Sequence, residues 1–268
     1  MNITEKTQAL KEIIASKGSM LISYSGGVDS ALLAVLATEV LGKNARCILL
    51  DSPVVPRTAI VEAQQIAQDH HLTLEIIPVS VMEDEKFIKN PAERCYWCKK
   101  SSAHVLKQRK EALNITCIAD GINVSDMGEH RPGLLASTEE GICHPFIEAG
   151  LTKADIREIA HAAGLPFWDK PSAACLSSRI PYGDEITLKK LVMIEKAEAF
   201  LRTNGFSQCR VRMHGDIARI EIVNDDLPKL LAMRESLAKI FKTIGFTYVT
   251  LDLEGYRSGS MDEVLTTG

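Results

Sequence analysis

The strongest constraint in this chain is the six-residue run Ser25-Gly26-Gly27-Val28-Asp29-Ser30, which follows the apolar stretch Met20-Leu21-Ile22 and precedes a segment rich in Ala31, Leu32, Leu33, Val35 and Leu36. A buried strand that turns on two glycines into a helix start is suited to holding an anion. Glycine lets backbone N–H groups face the ligand, and the helix N-terminus adds its positive end. Ser25 and Ser30 add hydroxyl donors. The run contains no lysine, so it lacks the part that grips the γ-phosphate in a Walker loop. Such a loop suits a leaving pyrophosphate while a nucleophile attacks the α-phosphorus of ATP. The alternative is an ordinary strand–turn–helix connection that uses glycine for sterics alone.

The surrounding pattern extends this reading. Residues 4–17 predict a first helix, with Thr4 as N-cap and Gly18 just past the end. Apolar runs at 20–22, 47–51, 72–77 and 115–119 predict strands, with helices following the glycine loop and at about 57–70 and 95–111. This alternation predicts an α/β fold: a doubly wound parallel sheet covered on both faces, with ligands at the carboxyl ends of its strands. Asp51 and Asp120 then share a rim with the glycine loop, as nucleotide or metal ligands or as simple turn caps. Thr152 caps a helix to about residue 163, and the proline-rich segment 166–183 reads as a loop or linker. Beyond Thr187, a helix (187–203), two strands (208–213, 217–222), a helix (227–243) and a strand (247–252) predict a smaller α+β domain. A helix–Gly-Phe–strand unit occurs twice there, at Gly205-Phe206 and Gly245-Phe246. The expected division is an ATP-binding domain with the cysteine site (1–183) and a substrate-binding and oligomerisation domain (184–268).

Charge narrows the class of partner. The net charge of −4 argues against a protein that grips a nucleic-acid backbone, and residues 181–268 carry 12 Lys/Arg against 13 Asp/Glu, so no basic domain hides in the average. No apolar run approaches the ~20 residues that span a bilayer, and the start is polar, so the expected location is the cytoplasm. In that reducing setting a disulfide framework is not expected of the seven cysteines. Cys47, Cys117 and Cys209 sit in apolar runs and read as small buried hydrophobes, Cys143 is ambiguous, and Cys95, Cys98 and Cys175 need another explanation.

The hexapeptide resembles that of the PP-loop ATP pyrophosphatases, which adenylate a substrate oxygen and release pyrophosphate. The resemblance gives Asp29 a role in holding Mg2+ and places Asp51 and Asp120 near nucleotide and metal. Further motifs look like the LarE-type sulfur transferases: Gly121-Ile-Asn123-Val-Ser-Asp126, Arg131-Pro132-Gly133, Leu151-Thr-Lys153-Ala-Asp155-Ile-Arg157, Cys175-Leu-Ser-Ser-Arg179-Ile-Pro-Tyr182-Gly183, Arg210-Val-Arg212-Met-His214, Asp216-Ile-Ala-Arg219-Ile-Glu221 and Asp252-Leu-Glu-Gly-Tyr256-Arg257-Ser-Gly259. The likeness runs from Ser23 to about Met261. It implies adenylation of a carboxylate on pyridinium-3,5-biscarboxylic acid mononucleotide and replacement of a carboxylate oxygen by sulfur, on the way to the nickel-pincer nucleotide. It also implies a homo-oligomer, with hexamers typical, and a partner that supplies sulfide.

Sulfur chemistry gives the cysteines a purpose, because adenylation turns a poor leaving group into AMP and a thiolate or sulfide then attacks the activated carbon. One branch of the family sacrifices the sulfur of a single cysteine that matches Cys175. This chain adds Cys95-Tyr96-Trp97-Cys98, and the three thiolates suit a [4Fe–4S] cluster with one iron left open, as in the family's other branch. Zinc with His104 or His144 as fourth ligand, a Cys-x-x-Cys redox pair beside a nucleophilic Cys175, and unconnected structural thiols are the alternatives. On the strand 208–213, alternation puts Arg210, Arg212 and His214 on one face, where Arg219 and Glu221 of the next strand can join them. Arg210 and Arg212 match substrate-phosphate ligands of the family, and Arg179 is a further candidate for the AMP or substrate phosphate. A solvated face of Arg–Glu pairs is the plain alternative. Glu198 and Glu221 align with acidic residues near metal, or form surface salt bridges; Tyr96 and Trp97 either stack on the pyridinium or pack on the sheet. The same loop and three similar cysteines would also serve an enzyme that thiolates a tRNA base, or persist in a non-catalytic metal or iron–sulfur carrier.

Overall fold

The computed structural model describes residues 2–127, 132–171, 174–257 and 259–266; Arg131 and Ser258 of the motifs above lie outside them. In chain order the elements are α1 (Ile3–Ser16), β1 (Met20–Ser23), α2 (Val28–Leu41), β2 (Ala45–Asp51), α3 (Arg57–Asp69), β3 (Leu74–Pro78), α4 (Glu85–Ile88), α5 (Arg94–Ala112), β4 (Cys117–Ala119), α6 (Pro132–Glu139), α7 (Pro145–Glu148) and α8 (Lys153–Ala162). There follow α9 (Leu188–Thr203), β5 (Cys209–His214), β6 (Ile217–Ile222), α10 (Leu227–Ala232), α11 (Arg234–Ile244), β7 (Tyr248–Leu251) and α12 (Glu263–Thr266). No helix among the described residues is long and apolar enough to cross a membrane.

The chain folds as two compact units, residues 1–81 with 93–173 and residues 82–92 with 174–268. In the first, a parallel sheet runs in the order β3-β2-β1-β4. Alternation along its strands sorts the core. Met20, Ile22, Cys47, Leu49, Cys117 and Ala119 pack with α1, α2, α3 and α8, whereas Leu21, Ile48 and Ile118 meet Ala103 and Leu106 of α5. Both faces are thus covered, as the sequence predicts for an α/β fold. The first helix starts earlier than expected: Asn2, not Thr4, is the N-cap, in a reciprocal capping box with Glu5.

In the second unit β5 and β6 are antiparallel, and β7 returns parallel to β6 after α10 and α11. The predicted helix 227–243 is in fact these two helices, broken at Met233. Both Gly-Phe echoes end a helix: Gly205 and Gly245 adopt φ of +81° and +126°, and Phe206 and Phe246 are buried. The division expected at 183/184 falls at 173/174, and residues 82–92 are set apart from their chain neighbours. In the structure these residues join the second unit because the buried side chain of Asn90 donates to the carbonyls of Ile180 (3.2 Å) and Pro181 (2.6 Å), and Gly183 N–H donates to Asn90 O (2.9 Å). The buried Cys47, Cys117 and Cys209 are the core thiols expected from their apolar runs.

Candidate functional site

At the carboxyl end of β1 the chain turns through Ser25 to Ser30. Gly26 has φ of +70°, and a Cβ there would lie 2.5 Å from Ala63 Cβ, so both backbone conformation and the approach of α3 require glycine. Gly27 is the N-cap of α2 and provides no side-chain cap, leaving the first N–H groups of the helix directed toward an incoming anion. Ser30 fixes the turn: its hydroxyl accepts from Ser25 N–H (3.1 Å), donates to Gly27 O (3.2 Å) and lies 3.0 Å from Ser25 Oγ. Gly121 packs on the same helix start, where a Cβ would stand 2.9 Å from Asp29 Cβ and Ser30 N.

The carboxylates on this rim have partners that the sequence did not reveal. Asp29 pairs with Lys153 and receives Asn123 Nδ2 at 3.5 Å. Lys170 donates to Gly26 O (3.0 Å) and pairs with Glu62 (2.9 Å). The loop without a Walker lysine therefore has two lysines beside it, from positions over 120 residues later. Asp51 pairs with Arg57, whose guanidinium also donates to the carbonyls of Ser52 (2.6 Å) and Val55 (2.8 Å). Asp120 is buried and engaged by Lys99 Nζ, Ser137 Oγ and His144 Nδ1, each at 2.8 Å.

Asp120 has a measurable consequence. Burial pushes its carboxyl up, but the bond from His144 and the Lys99 ammonium outweigh burial and hold it well below the usual carboxylate range. The unfolded carboxyl titrates near ~4, so this group's stabilisation is complete above that pH and fades as pH falls toward the folded value. In melting-temperature scans from about pH 5 to pH 2, Asp120→Asn is expected to flatten the acid decline; a wild-type slope contradicts the assignment.

Cys95 is exposed and Cys98 half-buried, one turn apart at the start of α5, and a Cβ added at Gly133 of α6 would lie 3.7 Å from Cys95 O. The expected zinc-ligand candidates are occupied otherwise: His144 on Asp120, and His104 Nε2 3.0 Å from Gln108 Nε2. Cys175 belongs to the second unit. Among the described residues no three His, Cys, Asp or Glu side chains converge as a metal site. Tyr96 donates to Glu139 (2.7 Å) and stands edge-on to Trp97 at 5.1 Å.

The second unit concentrates arginine. Arg212 and Arg219 face each other across β5 and β6, and Glu221 neutralises both, at 2.9 Å and 3.0 Å. Arg179 pairs with Glu198 at 2.9 Å in a fully buried contact, and Arg202 adds a second cation to Glu198 at 2.6 Å. Asp252 lies 3.6 Å from Arg219 Nε. Arg210 stands over the Tyr256 ring at 5.2 Å; burial and then repulsion from Arg179 lower its pKa. The buried Arg212 Nε–H has no hydrogen-bond partner among the described residues. Guanidinium groups outnumber carboxylates here, which favours an anion. The Arg–Glu pairs are interior contacts, not the solvated face that alternation alone allowed.

The sequence pattern of the NAD synthase family matches residues 2–109. The structure resembles NMN synthetase from Francisella tularensis, with a TM-score of 0.53, 18% identity, and coverage of 65% of this chain and 76% of that one. Sheet order and this likeness define an α/β fold shared with that synthetase. An uncharacterized protein of Synechocystis is 39% identical over 98% of this chain and 99% of its own length. The pyridinium-3,5-bisthiocarboxylic acid mononucleotide synthase of Lactiplantibacillus plantarum is 32% identical over 91% of this chain and 89% of its own. The chain belongs to the family of that synthase.

Proposed function

We propose that this chain is an ATP-dependent sulfur transferase acting on pyridinium-3,5-biscarboxylic acid mononucleotide. A carboxylate oxygen of the substrate attacks the α-phosphorus, the bond to the β-phosphoryl oxygen breaks, and pyrophosphate leaves. Sulfide then attacks the activated carbon, and AMP departs with the former carboxylate oxygen, leaving a thiocarboxylate. The observation that carries this reading is the nearly full-length likeness to the Lactiplantibacillus plantarum synthase. The lysine-free phosphate loop supports it, because that geometry suits a departing pyrophosphate.

Ser25, Gly26, Gly27 and Ser30 hold the phosphates, and Asp29 holds magnesium after releasing Lys153. Asp51 and Asp120 support the nucleotide rim through Arg57 and through Lys99 and His144. Arg210 and the unpartnered Nε–H of Arg212 receive the substrate phosphate. Cys95, Cys98 and Cys175 would hold a [4Fe–4S] cluster, a role taken from the family likeness; the pair one turn apart on α5 fits it. Bound there, such a cluster would supply an iron without a protein ligand that can carry sulfide. The same reading includes a homo-oligomer and a separate protein that delivers sulfide. Purified without oxygen, the chain is expected to contain iron and acid-labile sulfide and to lose both in a Cys95→Ser/Cys98→Ser variant. An iron-free, colourless protein with undiminished sulfur transfer overturns the cluster.

A further inference from the structure

Cys175 is the N-cap of a short 3-10 turn, residues 176–179, and that turn hangs from one buried side chain. Arg179 is 1% exposed. Its Nη1 donates to the carbonyls of Ala174 (3.0 Å) and Cys175 (2.9 Å) and to Ser178 Oγ (2.8 Å). Its other edge meets Glu198 through Nε at 2.9 Å and Nη2 at 3.2 Å. Ser178 Oγ in turn donates to Cys175 O at 2.7 Å, and the buried Ser177 hydroxyl lies 2.8 Å from Cys175 Sγ. Among the described residues the guanidinium is thus engaged through Nε, Nη1 and Nη2, and its 1% exposure leaves little room for a ligand phosphate.

Glu198 is equally committed. It is fully buried, accepts from Val211 N–H at 3.2 Å and pairs with Arg202, so α9 and β5 are joined to the cysteine turn through one carboxylate. Burial pushes its carboxyl up, but the Arg179 charge beside it prevails and lowers the pKa. An uncompensated charge at this depth is costly, so each member of the pair depends on the other.

We infer that Arg179 and Glu198 form a buried clamp that positions Cys175, and that Arg179 is a positioning residue and not a phosphate ligand. The inference rests on the proposed role of Cys175 in sulfur transfer. A guanidinium that grips two successive carbonyls fixes the direction in which the intervening Cα–Cβ bond projects. Ser177 then limits the position of the sulfur itself.

The test compares full-length Arg179→Lys, the double variant Arg179→Met/Glu198→Met and wild type. The double variant removes both charges at similar volume, so it is expected to fold. Iodoacetamide labelling at fixed pH, followed on the Cys175 peptide by mass spectrometry in protein prepared without iron, is expected to quicken about tenfold in the double variant as the turn loosens. Arg179→Lys, which keeps the charge and part of the grip, should fall between. In the sulfur-transfer assay, kcat should drop while KM for the mononucleotide stays within about twofold. Unchanged labelling, or a raised KM with kcat intact, overturns the clamp and returns Arg179 to phosphate binding. If Cys175→Ala itself still transfers sulfur, the proposed function fails instead, whatever the clamp variants do.

Discussion

Gly26→Ala is expected to cut substrate-dependent pyrophosphate formation by about 100-fold or more. Two independent penalties meet at this position. A φ of +70° costs an L-residue about 1–2 kcal/mol. The new methyl would also stand 2.5 Å from Ala63 Cβ and 2.7 Å from its Cα, far inside the ~3.5–4.0 Å of carbon contacts, so α3 or the loop must shift. A displacement near 1 Å at a phosphate site is enough for a loss of that order. Pairing the change with Ala63→Gly should rescue only part of the activity, because the Ala63 Cα remains too close. Gly27→Ala is the control: its φ is −76° and its nearest neighbour, Ser25 Oγ, is 3.5 Å from the added carbon. If Gly26→Ala and Gly27→Ala behave alike, the steric account is wrong.

Cys175→Ala is the second large effect, and it separates the two halves of the reaction. Thiocarboxylate formation should fall to background, because both sulfur routes considered for this family require that thiolate. Substrate-dependent release of pyrophosphate should persist, because the loop, Asp29 and Lys153 belong to the first unit and adenylation needs no sulfur. The two products are followed in one reaction, pyrophosphate by a coupled assay and the thiocarboxylate by mass spectrometry. Parallel loss of both would mean that Cys175 supports nucleotide binding or folding, and the division of labour proposed here would be wrong.

The parts of this protein legible in its sequence are those decided by local pattern. The strand–glycine–helix run states its own geometry, since only a φ permitted to glycine lets the chain turn there. β1, β2 and β4 are legible because their burial makes them nearly continuous apolar runs. The Gly-Phe echoes anticipate two helix ends for the same reason. The partners of the charged residues are a different matter. Nothing near Asp120 in sequence marks Lys99 or His144 as its neighbours, and Lys153 and Lys170 reach the phosphate loop only through the fold. Alternation along β5 put Arg212 on a polar face but could not say that this face is buried. Arg179 gives the least warning: an arginine four residues after Cys175 invites a ligand role, yet its guanidinium lies in the interior against Glu198. The segment 82–92 joins the second unit through Asn90, a contact about 90 residues away in sequence that no local signal announces.

The fate of one substrate oxygen atom distinguishes adenylation from other routes of activation. With the substrate carboxylates labelled with heavy oxygen, adenylation followed by sulfur attack must carry one labelled oxygen from carboxylate to the phosphoryl group of AMP. AMP bearing one heavy oxygen is expected for each thiocarboxylate formed, with unlabelled pyrophosphate. Unlabelled AMP, or label recovered in orthophosphate with ADP as the nucleotide product, would contradict it.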